Sequence, residues 1–366
     1  MQHDSNSIAR MLRGNETLCD DALSLALGEL TLRLRSNSGR LIARLRDYFA
    51  HVPVGRATPD VEMLAIERAA PDTGLDFIDW KREPGKTGRK DAYADISGGR
   101  VIRKVRTGMV FLQSDAQRIA AGPCLQYDNQ VINFINAQYM NWLQQHGWQI
   151  CHAAGLGYRG NAFGIAGFSG GGKSTLMLHL LDREAVSYLT NDRLFVRKHA
   201  GVTRARGIPK LPRVNPGTIV HNPRLHGLIP EAQRASLLAM PAAELWELED
   251  KYDVHVEQVY GADRIVTEAP LAGFLVLNWQ RDADTELALQ RVELAQRRDL
   301  LAAIMKSPGP FYQYADGSFY SDTADFDVQA YLDALQGVPV YEATGKVDFT
   351  ALASRFLDDI LERRPR

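Results

Sequence analysis

Gly167-Phe168-Ser169-Gly170-Gly171-Gly172-Lys173-Ser174 has the spacing GxxxxGK[ST], which wraps backbone N–H groups around a chain of phosphates. Glycines suit that task because successive amides must turn inward and side chains would block the approach. The flanks agree with the motif. Apolar Phe163, Ile165 and Ala166 precede it as a strand, and Thr175 to Leu181 continue it as a helix. The helix N-terminus adds unpaired donors and a partial positive charge. The expected nucleotide-binding set is Gly167, Ser169, Gly170, Gly171, Gly172, Lys173, Ser174 and Thr175. Lys173 would reach the terminal phosphates and the Ser174 hydroxyl would ligate Mg²⁺. The motif says nucleotide; it does not separate kinase, GTPase and motor.

A phosphate loop needs a second carboxylate near its metal ion. Asp192 is the acidic residue of Ser187 to Arg193 and stands where a short strand ends, the edge at which α/β sheets bind ligands. It joins Ser174 in the expected metal set, against the plainer alternative of an Asx turn between strands. His152 lies on the strand before the loop-forming one and can point into the same cleft, although a lone strand histidine is more often structural. Residues 201–225, rich in Pro and Arg, read as a functional or mobile loop. Lys210, Arg213 and Arg206 on it are candidate cations for the transferred phosphoryl group; a solvated basic loop explains them equally well. Trp246 to Val254 mixes charges and aromatics and reads as a solvated helix end before an acceptor site. Lys86 to Lys90 and Arg100 to Arg106 are locally basic without interleaved aromatics, so they read as surface and not as a nucleic-acid site.

Positioning these residues takes a mixed sheet. Residues 1–20 are polar and read as frayed or loosely docked. Leu30, Leu32 and Leu34 alternate as in a half-buried strand, residues 40–50 have helical spacing, and Val61 to Glu67 suit a strand. Residues 81–100 read mostly as an exposed loop, and 100–113 as a hairpin around Thr107-Gly108. Asp128 to His146 carries one broad apolar helical stripe, with Gly147 as its stop. Strands are expected at 149–155, 161–166, 186–189, 194–196, 271–278 and 338–344, with 285–291 pairing to 271–278. Helices are expected at 173–182, 292–306, 325–335 and 349–364. Consecutive strands interrupt the alternation, so the expected class is α/β, a mixed sheet flanked by helices.

The 366 residues suggest about two domains. The expected division is 1–115, a smaller N-terminal α+β region for acceptor binding or oligomerisation, and 116–366, the P-loop core. Apolar residues are 45% and charged residues 24%, which fits a packed core and not a disordered chain. A net charge of −1 gives no global pull toward nucleic acid or an anionic membrane. Cys19, Cys124 and Cys151 share no CxxC spacing, so no disulfide scaffold is expected, and a cytoplasmic protein without a membrane span is.

Four segments together resemble the HPr kinase/phosphorylase family, which shares its nucleotide core with phosphoenolpyruvate carboxykinase. They are Cys151-His152-Ala153-Ala154, the loop Gly167 to Thr175, Leu189-Thr190-Asn191-Asp192, and Arg206 to Gly217. Order and spacing are most similar to the divergent HPr-kinase-related branch called kinase B. The likeness runs from about Tyr127 to Val220 and is diffuse elsewhere. It implies the P-loop core of that type, ATP and Mg²⁺ as cofactors, and transfer of the γ-phosphoryl group to a hydroxyl. It also implies a homo-oligomer, since true HPr kinases are hexamers. The catalytic set it implies is Asp192, His152, Lys173, Asn191 and Arg213. Asn191 stands where the family has the first of two aspartates, and an amide cannot take a hydroxyl proton. No segment matches the family's dephosphorylation region, so neither phosphorylase activity nor HPr as substrate is carried over. The expectation is an ATP-dependent kinase acting on a protein serine or a small-molecule hydroxyl. The alternative is a regulator that binds nucleotide and transfers nothing. A GTPase is disfavoured because no guanine-reading Asn/Thr-Lys-x-Asp string occurs.

Overall fold

The computed structural model describes residues 4–82, 88–168, 171–248, 250–280 and 283–361. The chain forms two compact units, Met1–Gly147 with Ser307–Phe326, and Trp148–Lys306 with Asp327–Arg366. The division expected at 115/116 falls inside the first unit, in the turn between two paired strands.

The first unit opens with α1 (Ser5–Arg13), where a frayed or loosely docked segment was expected. Asp4 caps it and Ser7 answers in a capping box, while Ile8 and Leu12, four apart, are buried. The strands are β1 (Ala22–Leu27), β2 (Leu30–Ser36), β3 (Val61–Glu67), β4 (Ile78–Asp79), β5 (Asp91–Ile96), β6 (Gly99–Lys104), β7 (Val110–Gln113) and β8 (Arg118–Gly122). They form one sheet in the order β1-β2-β3-β8-β7-β6-β5-β4, parallel at β2–β3 and β3–β8 and antiparallel elsewhere. The helices α2 (Gly39–Tyr48) and α3 (Asp128–Gln145) lie where the periodicity puts them. β5 replaces part of the loop expected at 81–100; its inward residues are Ala92 and Ala94, too small to give a strong alternation signal. Lys86 lies outside the described residues. Arg100 corrects the basic surface strand: it is 3% exposed, chelates the Asp95 carboxylate at 2.6 and 2.9 Å, and donates to the Pro310 and Tyr320 carbonyls.

The second unit contains β9 (Gln149–Cys151), β10 (Ala153–Tyr158), β11 (Asn161–Gly167), α4 (Lys173–Leu181), β12 (Val186–Thr190), β13 (Leu194–His199), β14 (Val202–Arg206), β15 (Arg213–Val214), α5 (Pro216–Val220), β16 (Tyr252–Asp253), β17 (Glu268–Leu277), β18 (Ala288–Val292) and β19 (Val340–Thr344). The main sheet runs β12-β10-β11-β17-β14-β13-β9, with β19 also on β17 and β18 on β19. β11–β17 and β17–β19 are parallel and the other pairs antiparallel, so this is the mixed sheet with flanking helices that the element pattern implied. β17 is its spine. Leu275 and Leu277 pack into one core cluster with Leu176 and Leu180 of α4, while Phe274 and Val276 pack into a second with Leu300 and Tyr331. A strand buried on both faces reads as the unbroken apolar run seen at 271–277.

Three other expectations change. β18 pairs with β19 and not with β17. The helix expected at 292–306 is reduced to Arg298–Leu300 and Leu301–Ile304, because Val292 is held by the β18 ladder and Met305 is already extended. The stretch 201–225 is not a single loop but holds β14, β15 and α5. A buried Arg264, remote in sequence, donates to the Leu181, Arg183, Val186 and Tyr260 carbonyls and ties the end of α4 to β12. Among the described residues no helix is long and apolar enough to cross a membrane.

Candidate functional site

Strand register collects the residues that the sequence singled out. Ala153 faces Ala166, Gly155 faces Thr190, and Gly167 faces Leu277. His152, Gly167, Asn191-Asp192 and the segment after Leu277 therefore leave the sheet at one edge, with neighbours about 5 Å apart. β11 and β17, parallel to each other, both end there, the usual position for ligands of an open sheet.

The glycine motif stands between β11, which ends at Gly167, and α4, which begins at Lys173. Gly172 is the N-cap of α4, in the left-handed region at φ 81°, and brings no side-chain cap. A Cβ on it would stand 2.4 Å from Cζ of Phe349, so a larger residue would be strained twice over. The N–H groups of the first turn have no intrahelical acceptor and so suit an anion. Lys173 Nζ donates to the Gly167 carbonyl at 3.2 Å, which keeps the ammonium over the loop. Thr175 Oγ1 meets Thr218 Oγ1 at 3.1 Å and links α4 to α5. Ser169 and Gly170 lie outside the described residues.

Two aromatic side chains that sequence reasoning missed brace this loop. Trp279, just past β17, donates its indole N–H to the Gly171 carbonyl at 2.9 Å. Its ring meets Phe349 edge to face at 5.1 Å, and Phe349 stacks on His179 of α4 at 6.1 Å. No motif marks these residues; only the parallel pairing of β17 with β11 brings Trp279 to the loop.

Asp192 and His152 do meet. His152 Nε2 lies 3.2 Å from Asp192 Oδ1. On the other oxygen, Lys306 Nζ stands at 3.5 Å and Arg193 Nε at 3.7 Å. Partial burial pushes the Asp192 carboxyl up, but the Lys306 charge, the His152 hydrogen bond and charge, and the Arg193 charge outweigh it. The carboxyl is held well below the usual carboxylate range and is ionised at neutral pH. Lys306 is placed by its backbone: Met305 bridges Cys151, Ile304 accepts from the His152 N–H at 2.7 Å, and the Lys306 N–H donates to Tyr331 Oη at 3.3 Å. Among the described residues, Asn191 Oδ1, next to Asp192, is a buried acceptor without a hydrogen-bond partner.

The Pro-rich segment is held against this turn by a close approach. A Cβ on Gly207 would fall 1.9 Å from the Leu189 carbonyl oxygen, so only glycine fits. Tyr188 Oη then donates to the Lys210 carbonyl at 2.6 Å. Burial and the Arg193 charge, with Arg213 adding to them against Asp192 and Asp253, push the Lys210 ammonium down to about 7. Arg206 is not a loop cation. It belongs to β14, is 7% exposed, pairs with Glu268 of β17 and lies over the Trp148 ring at 4.8 Å. Arg213 sits in the β15–β16 ribbon, 3.2 Å from Asp253, and donates to the Lys251 carbonyl at 3.1 Å. Tyr252 and Asp253 of the mixed stretch 246–254 are thus half of that ribbon; Glu249 lies outside the described residues. A cleft of about 290 Å³ lined by Tyr158, Arg159, Asn161, Arg204 and Glu268 lies at the far end of β10 and β11 and holds none of this chemistry.

Magnesium takes hard oxygen ligands and is commonly held by one or two protein groups plus substrate phosphates. The donors here, the Ser174 hydroxyl and an ionised Asp192, fit that habit. Among the described residues no cluster of three or more His, Cys, Asp or Glu forms a metal cage.

No protein-family model matches the chain, and no curated protein matches it. Among solved structures it is similar to the HPr(Ser) kinase/phosphatase of Coxiella burnetii, at 11% sequence identity and a TM-score of 0.29, over 58% of this chain and 92% of that one. An overlap at that level fixes neither fold nor reaction.

Proposed function

We propose that the chain is an ATP-dependent kinase that transfers the γ-phosphoryl group to a hydroxyl, built on the P-loop core of the HPr kinase and phosphoenolpyruvate carboxykinase type. The observation that carries this reading is the glycine loop with Lys173 at the same sheet edge as the ionised Asp192 and its His152 partner. The loop amides from Gly171 and Gly172 onward and the start of α4 bind the phosphates, and Lys173 neutralises charge on the transferred group. Ser174 and Asp192 would hold Mg²⁺, which would supply positive charge to offset that of the phosphates. The acceptor oxygen forms a bond to the γ-phosphorus while the bond to the β,γ-bridging oxygen breaks. The hydroxyl proton leaves along Asp192 and His152 toward water. A carboxylate surrounded by cations is a weak base, so Asp192 mainly orients the hydroxyl, a sufficient role where the transition state is loose.

Asn191 favours a second reading, a nucleotide-gated regulator without transfer, because it replaces the family's acid/base carboxylate by an amide. Incubating the protein with γ-labelled ATP and host cytosol separates the two. Label on a protein or metabolite supports the kinase; tight nucleotide binding with no transferred label supports the regulator. In the kinase reading the N-terminal region, 1–115 by sequence, presents the acceptor or joins subunits.

A further inference from the structure

Asp192 stands in the turn after β12 with its side chain half-exposed, so the direction of its carboxylate is set by what grips it. Two side chains reach it from a neighbouring pair of segments. His152 Nε2 lies 3.2 Å from Oδ1, and Lys306 Nζ lies 3.5 Å from Oδ2. Those segments are joined to each other. Cys151 and Met305 form an antiparallel bridge, and the His152 N–H donates to the Ile304 carbonyl at 2.7 Å. On the other side of the bridge the Tyr331 hydroxyl continues the ladder: it accepts from the Lys306 N–H at 3.3 Å and donates to the Ile150 carbonyl at 2.5 Å. Successive residues of an extended pair point to opposite faces, so His152 and Lys306, one residue past the bridge on each segment, lie diagonally across it on one face. The spacing of their backbones is therefore fixed before either side chain touches Asp192. Lys306 is 11% exposed, so packing confines its long side chain. Arg193 also comes within 3.7 Å of the carboxylate, but it follows Asp192 in the chain and turns with it, so it gives no outside reference.

We propose that Lys306 is a positioning residue for phosphoryl transfer: with His152 it grips the two oxygens of Asp192 and sets the direction in which that carboxylate meets the acceptor hydroxyl. The role deepens the kinase reading and rests on it. A carboxylate held at one oxygen can still turn about its side-chain bonds. One held at both oxygens, by groups on a shared backbone frame, cannot turn without breaking a contact. Transfer through a loose transition state depends on alignment more than on base strength, and a misplacement of about 1 Å can cost roughly 10²-fold. Lys306 acts through Asp192 and does not hold the nucleotide, so its loss should spare nucleotide binding.

The test follows label transfer from γ-labelled Mg·ATP to host cytosol by the full chain, as a function of Mg·ATP concentration. Lys306→Met should lower the maximal rate about 10²-fold and leave the KM for Mg·ATP within about threefold. Lys306→Arg, which keeps a cation on a stem of similar reach, should recover the rate to within about tenfold of the unaltered chain. Crystals supply a readout without turnover. In Lys306→Met the carboxylate should swing off His152, opening the 3.2 Å contact beyond about 4 Å, and in Lys306→Arg the contact should stay. Thermal unfolding checks that the variants fold, and Lys306→Gln replaces the methionine variant if that one does not. An unchanged maximal rate in Lys306→Met, a loss carried by KM, an arginine variant as slow as the methionine one, or a carboxylate that stays on His152 would each overturn the proposal. Absence of label transfer by the unaltered chain would instead remove the kinase reading, and this role with it.

Discussion

Gly207→Ala is the substitution by which the packing of this site can be judged. The new Cβ would stand 1.9 Å from the Leu189 carbonyl oxygen and 2.8 Å from its carbon. Ordinary contact begins near 3.4 Å, so the two backbones must part by 1.5 Å (3.4 less 1.9). Neither side is a flexible side-chain end, so little relaxation is available. Overpacking a tight core costs about 1–3 kcal/mol, and a backbone-to-backbone clash belongs at the upper end. Leu189 is three residues before Asp192, whose contact with His152 is 3.2 Å long; a shift of this size breaks it. Misplacing a catalytic group by about 1 Å can cost roughly 10²-fold in rate. Urea unfolding should therefore show a midpoint lowered by the equivalent of about 3 kcal/mol at constant m, and phosphoryl transfer should fall about 10²-fold. Gly227→Ala is the control, because a Cβ there meets nothing within 4 Å. It should change stability by no more than about 0.5 kcal/mol. A Gly207→Ala protein as stable and active as the Gly227→Ala control would refute the argument.

Two other variants probe the same edge. Trp279→Phe keeps the aromatic packing on Phe349 but removes the indole hydrogen bond to Gly171, a bond worth about 0.5–1.5 kcal/mol. Mg·ATP-analogue affinity should fall about threefold to tenfold by calorimetry; an unchanged Kd would separate the brace from the loop. Lys210→Met tests the buried cation. Its folded pKa of about 7 lies below the unfolded 10.5, so the folded state holds fewer protons between those values. Charging Lys210 then destabilises fully below pH 7, and the penalty fades between pH 7 and 10.5. The variant should gain on the order of 2 kcal/mol at pH 6 and little at pH 11, read by denaturant titration at both. A gain independent of pH would sink this account.

Local structure was legible in the sequence wherever one segment supplies it. The strand Asn161–Gly167 and the helix Lys173–Leu181 form as their residue types demand, and α3 follows its apolar stripe. The His152–Asp192 contact follows from β10 and β12, which pair directly, His152 standing before the one and Asp192 after the other. Features that depend on distant chain were not legible. Arg206 reads as a loop cation until β14 is seen beside Glu268 of β17. Gly207 looks like an ordinary turn residue, because its requirement comes from the carbonyl of Leu189. Trp279 and Lys306 carry no signal at all: each reaches the site through a tertiary path, one along β17 and the other along the bridge to Cys151. Ala92 and Ala94 hide β5, since small side chains give little contrast between buried and exposed positions.

The central claim is that the loop before Lys173 holds the phosphates of a nucleotide. Calorimetric titration of Mg·ATP into the full chain and into Lys173→Ala tests it most directly. Saturable binding to the first, weakened by about tenfold or more in the second while both unfold at similar temperatures, is the predicted result. No heat of binding in either protein, or equal affinity in both, would contradict it.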